Sequence, residues 1–132
     1  MKPFLPAAPV VAALIVAALT AAPSTARDRN TVPSATVTGP AQDCVSIPRL
    51  RHSEVRNDRV IDFMTTARKG YRVTLDRACP GLGFDRAFSY STSLSQLCKQ
   101  DIITVLRQGA GLQRGASCGL APFQPIELVK DR

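Results

Sequence analysis

Side chains able to perform acid–base or nucleophilic chemistry are few in this chain, and their spacing forms no recognisable catalytic group. His52 is the only histidine, and Arg51, Ser53 and Glu54 surround it. A general base needs a partner that the fold orients, and the serines between 89 and 95 lack a Gly-x-Ser-x-Gly elbow. We therefore expect His52 on an exposed strand and predict no catalytic residue. The alternative is a small hydrolase that uses His52 or a pair of aspartates.

The acidic side chains do not indicate a metal or cofactor site. Glycoside hydrolysis needs two carboxylates that face each other across a cleft, and the sequence offers only scattered candidates: Asp58, Asp62, Asp76, Asp85 and Asp101. The alternating aspartates of a calcium loop are absent from the sequence, and Gly81-x-Gly83 is too short for a dinucleotide fingerprint. Asp101 lies beside the turn at Cys98, where we expect its carboxylate to accept bonds from backbone amides.

Four cysteines, Cys44, Cys79, Cys98 and Cys118, are the strongest covalent signal in the sequence. None forms a Cys-x-x-Cys pair, which argues against a zinc site or a thioredoxin-like centre. An even number of cysteines in a small exported domain is typical of structural disulfides. Of the three pairings available, we predict Cys79–Cys98, which closes a short segment, and Cys44–Cys118, which ties the two ends of the domain.

The stretch Cys79-Pro80-Gly81-Leu82-Gly83-Phe84 contains the Gly-Leu-Gly-Phe by which PDZ domains hold a carboxylate. Such a loop presents backbone amides to a peptide that adds to a sheet edge. In PDZ domains most of the fold follows the loop, whereas here Phe84 is close to the middle of the domain and Asp85 and Arg86 come next. We therefore interpret the stretch as a turn held by Cys79, in which Phe84 anchors into the core.

Residues 1–26 have the parts of a secretory signal peptide. Lys2 precedes an apolar run at 10–19, and the small residues Ser24 and Ala26 stand at −3 and −1 from a cleavage point. An uncleaved membrane anchor is the alternative, although a spanning helix needs about 20 apolar residues. Prolines at positions 6 and 9 would interrupt such a helix. Cleavage would leave no transmembrane segment.

The rest of the chain divides into a linker and one domain. Residues 27–43 are rich in Ser, Thr and Pro and contain no aromatic side chain, so we predict a flexible linker. Residues 44–129 carry the strand signals. Arg59–Met64 and Tyr71–Leu75 alternate apolar and polar side chains and predict a hairpin. The run Ile102–Leu106 is nearly all apolar and indicates a buried strand.

Turn signals at close spacing complete the fold prediction. We expect an all-β domain, or a β-rich one with a single short helical turn near Ser93–Gln96. Its five or six strands would form a small antiparallel barrel or sandwich with two disulfides. We predict a mobile loop over Gly109–Gly115. The segment 118–126, interrupted by two prolines, is expected at a sheet edge.

The chain is basic. Of its 17 Lys and Arg residues, 16 remain when Lys2 is removed with the signal peptide, against 10 acidic residues, which gives a net charge of +6. The charges of both signs are interspersed, and an exported protein seldom meets nucleic acid, so we predict no nucleic-acid partner. An anionic component of the cell envelope or another exported protein is the expected partner.

Five segments of the domain form a recurring pattern: Cys79–Leu82, Phe88–Ser93, Gln96–Cys98, Asp101–Leu106 and Cys118–Pro125. They resemble a domain-of-unknown-function family of small exported proteobacterial proteins with four cysteines. The resemblance covers about two-thirds of the chain, and it implies an envelope-exported disulfide domain with no assigned catalytic residue. Some members carry a lipid-attachment cysteine directly after the apolar run, and this chain does not.

Taken together, the sequence predicts a periplasmic or secreted, non-enzymatic domain that binds a partner or has a structural role in the envelope. The expected binding surfaces are a strand face carrying Arg59 and Arg72 and the glycine-rich segment 109–115. Besides the hydrolase, a second alternative is an inhibitor of an extracellular enzyme. Its positive charge argues against a basic target such as lysozyme, because like charges repel.

Overall fold

The computed structural model describes residues 3–7 and 28–130. Within them the chain forms ten β-strands, one 3₁₀ turn at Ile47–Arg49 and one short helix. The strands are β1 (Ala35–Val37), β2 (Cys44–Ser46), β3 (His52–Val55), β4 (Val60–Met64), β5 (Lys69–Thr74), β6 (Phe88–Tyr90), β7 (Gln96–Cys98), β8 (Ile102–Gly109), β9 (Gly111–Gly119) and β10 (Gln124–Leu128), and the helix is α1 (Leu82–Asp85). The predicted β-rich fold with one short helix is confirmed. The predicted architecture was a barrel or a sandwich, and within residues 28–130 the strands form three separate sheets with no closed barrel.

The largest sheet has five strands in the order β1-β10-β5-β4-β3. Its centre is the predicted hairpin, which is confirmed: β4 and β5 pair antiparallel, with Ile61 opposite Val73 and Phe63 opposite Tyr71. Alternation places these apolar side chains on one face, where Ile61, Phe63 and Val73 are buried. The hairpin therefore supplies one wall of the core.

Strand β10 lies inside this sheet, between β1 and β5, so its predicted edge position is wrong. Pro125 is tolerated there because of where β1 ends. The carbonyl of Pro125 accepts a bond from the amide of Thr38, just beyond the last residue of β1. In an antiparallel sheet the N–H and the C=O of one residue point towards the same neighbouring strand, so the N–H that Pro125 lacks would also point towards β1. Because β1 has already ended at that position, the missing donor breaks no bond between paired strand residues.

Part of the segment predicted to be a flexible linker also belongs to the sheet. Residues 35–37 pair antiparallel with Ile126–Leu128, and Gln42 exchanges backbone hydrogen bonds of 2.8 Å with Phe123. The segment has too few apolar side chains to indicate a strand by itself. Backbone bonds to β10 order it instead, and a local pattern does not reveal such bonds.

The remaining strands form a pair, β2-β7, and a three-stranded sheet, β6-β8-β9. The predicted mobile loop over Gly109–Gly115 is wrong, because most of it is strand β9, paired with β8 in a long hairpin. The turn needs Gly111, whose φ is +107°. The predicted helical turn at 93–96 is also wrong: residues 96–98 are strand β7, and the helix lies at 82–85.

The core lies between the five-stranded and the three-stranded sheet. Phe63 of β4 meets Phe88 of β6 edge to face, with ring centroids 6.0 Å apart, and Phe123 at 5.6 Å. Leu82 of α1 and Leu97 of β7 close the cluster, and both are fully buried. Aromatic pairs of this kind stabilise a core beyond their buried area.

Two disulfides join Cys44 to Cys98 and Cys79 to Cys118. Both predicted pairs, Cys79–Cys98 and Cys44–Cys118, are therefore wrong. Strand pairing decides the first bridge, because β2 and β7 run antiparallel with Cys44 directly opposite Cys98. Closeness along the chain did not predict this pair, because Cys44 and Cys98 lie 54 residues apart. Two bridges suit an oxidising, extracellular environment.

The predicted signal peptide lies almost wholly outside the described residues. In the parts of the chain that the structure does describe, no helix has the length and apolar character needed to cross a membrane.

Candidate functional site

A groove lies between the turn that joins β3 to β4 and the helix α1. It has a volume of about 880 Å³. Three arginines line it, Arg29, Arg59 and Arg86, and the ring of Phe84 stands at its border. Of the two arginines that were predicted from the sequence to bind a partner, Arg59 lies in this groove and Arg72 does not.

The groove walls are joined by hydrogen bonds from two neighbouring side chains. Asn57 Oδ1 accepts bonds from the amides of Arg59, at 2.8 Å, and Val60, at 2.9 Å, which fixes the turn before β4. Asp58 Oδ1 accepts a bond of 2.7 Å from the amide of Gly83 in α1. Asparagine and aspartate are frequent in turns because they bond to the backbone in this way. The helix is thereby attached to the turn.

Backbone carbonyls accept hydrogen bonds from two of the groove guanidinium groups, those of Arg59 and Arg86. Arg59 Nε donates to the carbonyl of Leu75 at 3.0 Å. Arg86 Nη1 donates to the carbonyl of Val55 at 2.9 Å, and its Nη2 donates to the carbonyl of Arg29. These bonds orient the side chains without neutralising their charge.

Within residues 28–130, no carboxylate forms an ion pair with any of the three groove arginines. Two aspartates lie nearby. Asp58 Oδ1 accepts a bond from the amide of Gly83, and Asp85 Oδ1 accepts one from the amide of Gln108. Of these two only Asp58 lines the groove, against three arginines, so the groove has a net positive charge.

Phe84 is 89% exposed, so the prediction that it anchors into the core is wrong. Its neighbour Leu82 takes the buried position instead, and Gly83 is buried against the turn at Asn57 and Asp58. In a single helical turn, residues two positions apart point in different directions. Burial of Leu82 therefore turns Phe84 towards solvent.

The Gly-Leu-Gly-Phe stretch does not form a PDZ-type carboxylate loop. The amide of Leu82 donates to the carbonyl of Cys79 at 3.1 Å, and the amide of Gly83 donates to Asp58. Gly81 has a φ of +82°, which opens the turn into α1. Since the fold already uses two of the amides, this stretch positions the groove and does not itself cradle an anion.

Arg72 belongs to an ion-pair cluster around Asp62 of β4. Its Nε and Nη2 donate to the two oxygens of Asp62 at 2.7 and 2.9 Å, and Arg56 Nε donates to Asp62 at 2.8 Å. Asp62 is fully buried. Only 17% of the Arg72 side chain is exposed. The cluster uses Arg72 to satisfy a buried charge, which is a structural task.

His52 lies on the exposed strand β3, as the sequence predicted. Its Nε2 is 3.1 Å from Glu54 Oε1, and the other oxygen of Glu54 contacts Arg56. About half of each side chain is exposed, 48% for His52 and 45% for Glu54. Within residues 28–130 no hydroxyl hydrogen-bonds to His52, and all four cysteines are in disulfides. The pair lies outside the groove.

The aspartates hold other parts of the fold in place. Asp101 Oδ2 accepts a bond of 2.7 Å from the amide of Cys98, which confirms its predicted role in that turn. Asp58, Asp62 and Asp85 bond to the partners described above. In the described ranges, no three His, Cys, Asp or Glu side chains come together to suit a metal ion.

Sequence reasoning missed Arg86 and Phe84 as members of the groove. The only signal available was their closeness along the chain, at positions 84 and 86, beside a glycine-rich turn. Neither residue belongs to an alternating strand, so no periodic pattern identified its face.

No family model matches this chain, and neither a curated protein nor a solved structure shows a significant similarity to it.

Proposed function

We propose that this protein is an exported, non-enzymatic binding domain that attaches to anionic material of the cell envelope through the groove that contains Arg59 and Arg86. One observation carries the proposal. Arg59 and Arg86 are oriented by backbone carbonyls, have no described carboxylate partner, and face an open groove. A periplasmic or secreted location agrees with the two disulfides and with the signal-peptide pattern of residues 1–26.

Orientation by carbonyls favours anion binding for an energetic reason. A free arginine loses rotamer freedom when it binds, and that entropy loss weakens the complex. Here Arg59 Nε and Arg86 Nη1 are already bonded to the carbonyls of Leu75 and Val55, so much of that ordering precedes binding. A phosphate or carboxylate would complete the bonding of groups that keep their full positive charge.

The net charge of the exported chain supports the same partner class. An excess of six positive charges attracts polyanions over several ångströms, and salt screens this attraction. We further propose that the chain is a member of the four-cysteine family that it resembles. That membership would be consistent with an envelope-exported disulfide domain.

The binding test uses a soluble polyanion. The exported protein is recovered from producing cells, its N-terminus is read by mass spectrometry, and binding to fluorescent polyglutamate is followed by anisotropy at low and moderate salt. An N-terminus at Arg27 would agree with cleavage after Ala26. We expect binding at low salt that weakens as salt is added.

Matched arginine variants locate the binding surface. Arg59→Gln and Arg86→Gln each remove one charge from the groove, and Arg49→Gln removes one from an exposed 3₁₀ turn outside it. We expect each groove variant to lose roughly fivefold in affinity, as a surface charge contact does, and Arg49→Gln to bind like the wild type. Equal effects of all three variants, or no binding at low salt, would overturn the proposal.

A further inference from the structure

Binding of a soluble polyanion would not account for the exposed aromatic ring of Phe84 in the groove. The residue is 89% exposed and lies beside three arginines that have no carboxylate partner among the described residues. Charged polymers in water are bound through the arginines, and they offer no apolar phase to receive an aromatic ring. A surface that combines anionic groups with an apolar interior matches both features.

We propose that the groove docks on the surface of an anionic lipid bilayer, with arginines on lipid phosphates and the Phe84 ring inserted below them. The inference rests on the proposed function and names its ligand. Peripheral proteins bind bilayers by this combination, in which basic side chains meet anionic headgroups while an aromatic side chain enters the boundary of the acyl chains. The shared location of Arg59, Arg86 and Phe84 supplies both parts.

Phe84 stands on a support that is already rigid. The disulfide Cys79–Cys118 fixes the start of its turn to β9, and the bond from Gly83 to Asp58 fixes α1. The amide of Gln108 also donates to Asp85, which ties the hairpin β8-β9 to the same helix. Insertion of the ring therefore requires little ordering of the loop, which favours binding by a single aromatic side chain.

The arginines and the phenylalanine are expected to contribute separately. A basic residue close to an anionic membrane raises partitioning roughly fivefold. Removing an aromatic ring that is only partly inserted should lower partitioning by roughly tenfold. The two contributions can be told apart, because salt screens the arginine effect and leaves the effect of Phe84.

The experiment measures co-sedimentation of the exported protein with two kinds of vesicle. One kind contains phosphatidylglycerol and phosphatidylcholine in equal parts, and the other contains phosphatidylcholine alone. We expect binding to the first kind only. Phe84→Ser should lose roughly tenfold on these vesicles and bind polyglutamate like the wild type, whereas Arg86→Gln should lose affinity for both.

Leu94→Ser is the matched control, because Leu94 is also an exposed apolar residue but does not line the groove. Inorganic phosphate at increasing concentration is the control for headgroup chemistry alone. We expect it to compete only weakly, because it offers nothing to Phe84. Full competition by phosphate would mean that the groove binds phosphate without a bilayer, and it would overturn this inference.

A fluorescent reporter gives a second measurement. The chain contains no tryptophan, so Phe84→Trp places a single indole at the border of the groove. Its emission should shift to the blue with phosphatidylglycerol vesicles and stay unchanged with polyglutamate. Leu94→Trp should show no shift with either.

Three results would contradict the inference in distinguishable ways. If polyglutamate binds but Phe84→Ser binds vesicles like the wild type, the bilayer inference fails and the proposed function stands. If neither polyglutamate nor anionic vesicles bind at low salt, both fail. If all variants bind phosphatidylcholine equally, a segment outside the groove carries membrane binding, and the inference fails.

Discussion

The carboxylate of Asp58 accepts a hydrogen bond of 2.7 Å from the amide of Gly83, 25 residues further along the chain. The carbonyl of Asp58 also accepts a bond of 2.7 Å from the amide of Cys79. One residue thus fixes both the disulfide end and the helix end of the loop that carries Phe84. The shape of the groove depends on this contact, since its two walls belong to distant parts of the sequence.

Gly83→Ala should destabilise the fold and weaken binding in the groove. An added Cβ would lie 3.0 Å from both the amide nitrogen and Oδ1 of Asp58, and 3.1 Å from the carbonyl carbon of Asn57. Backbone atoms cannot move aside as a flexible side chain can, so we expect a loss of about 1–3 kcal/mol in the free energy of unfolding. Urea denaturation measures the stability and polyglutamate anisotropy the binding.

Gly109→Ala is the control for that substitution, because a Cβ at Gly109 would meet no atom within 4 Å. We expect it to change the free energy of unfolding by less than about 0.5 kcal/mol. Wild-type stability and affinity in Gly83→Ala would show that the loop adjusts freely, contrary to the tight contact described here.

The bridge between Cys79 and Cys118 should contribute strongly to stability. The cysteines are 39 residues apart, and loop closure in the unfolded chain predicts about 4 kcal/mol for a loop of that length. We expect the double variant Cys79→Ser, Cys118→Ser to lose roughly this amount in urea denaturation. Because Cys79 also anchors the turn before α1, the variant should bind polyglutamate less tightly.

Peptide mapping without reduction checks the pairing itself. Proteolysis should release one linked peptide pair containing Cys44 and Cys98 and another containing Cys79 and Cys118. Recovery of a Cys79–Cys98 peptide would contradict the structure and favour the pairing expected from closeness along the chain.

The parts of the fold that the sequence predicts are those with a local pattern. Alternation over Arg59–Met64 and Tyr71–Leu75 identified the central hairpin, since burying one face of a strand imposes a period of two. The even number of cysteines indicated two disulfides, and all four cysteines are paired in the structure. Their pairing depends on which strands become neighbours, and no local pattern encodes that.

The candidate site was harder to predict because its residues lie on different secondary-structure elements and in the turns between them. Arg59 and Arg72 were predicted together as binding residues, and the structure places Arg59 in the groove and Arg72 against Asp62. In the sequence both arginines belong to runs that predict strands, Arg59–Met64 and Tyr71–Leu75. Only the register of β5 against β4, which sets Arg72 opposite the buried Asp62, separates a structural arginine from one that is open to a ligand.

Gly70 should tolerate no side chain. It lies opposite Met64 in the β4-β5 pair, and an added Cβ would come within 2.4 Å of the carbonyl oxygen of Phe63 and 2.8 Å of the Met64 Cα. We expect Gly70→Ala to lose at least about 2 kcal/mol in thermal or urea denaturation. Gly119→Ala, where the added Cβ meets nothing within 4 Å, should be nearly neutral. Equal stability of the two variants would refute this explanation.

Asp62→Ala should be among the most destabilising substitutions in the β4 strand. It would leave two guanidinium groups, those of Arg56 and Arg72, without the carboxylate that satisfies them. Breaking a buried ion pair on one side costs about 3–5 kcal/mol, and the partly exposed arginines should place Asp62→Ala near the lower end. A double-mutant cycle with Arg72→Ala tests the cause, because the loss should be smaller once Arg72 is absent. Strict additivity of the two substitutions would show that the Asp62–Arg72 contact contributes nothing to stability.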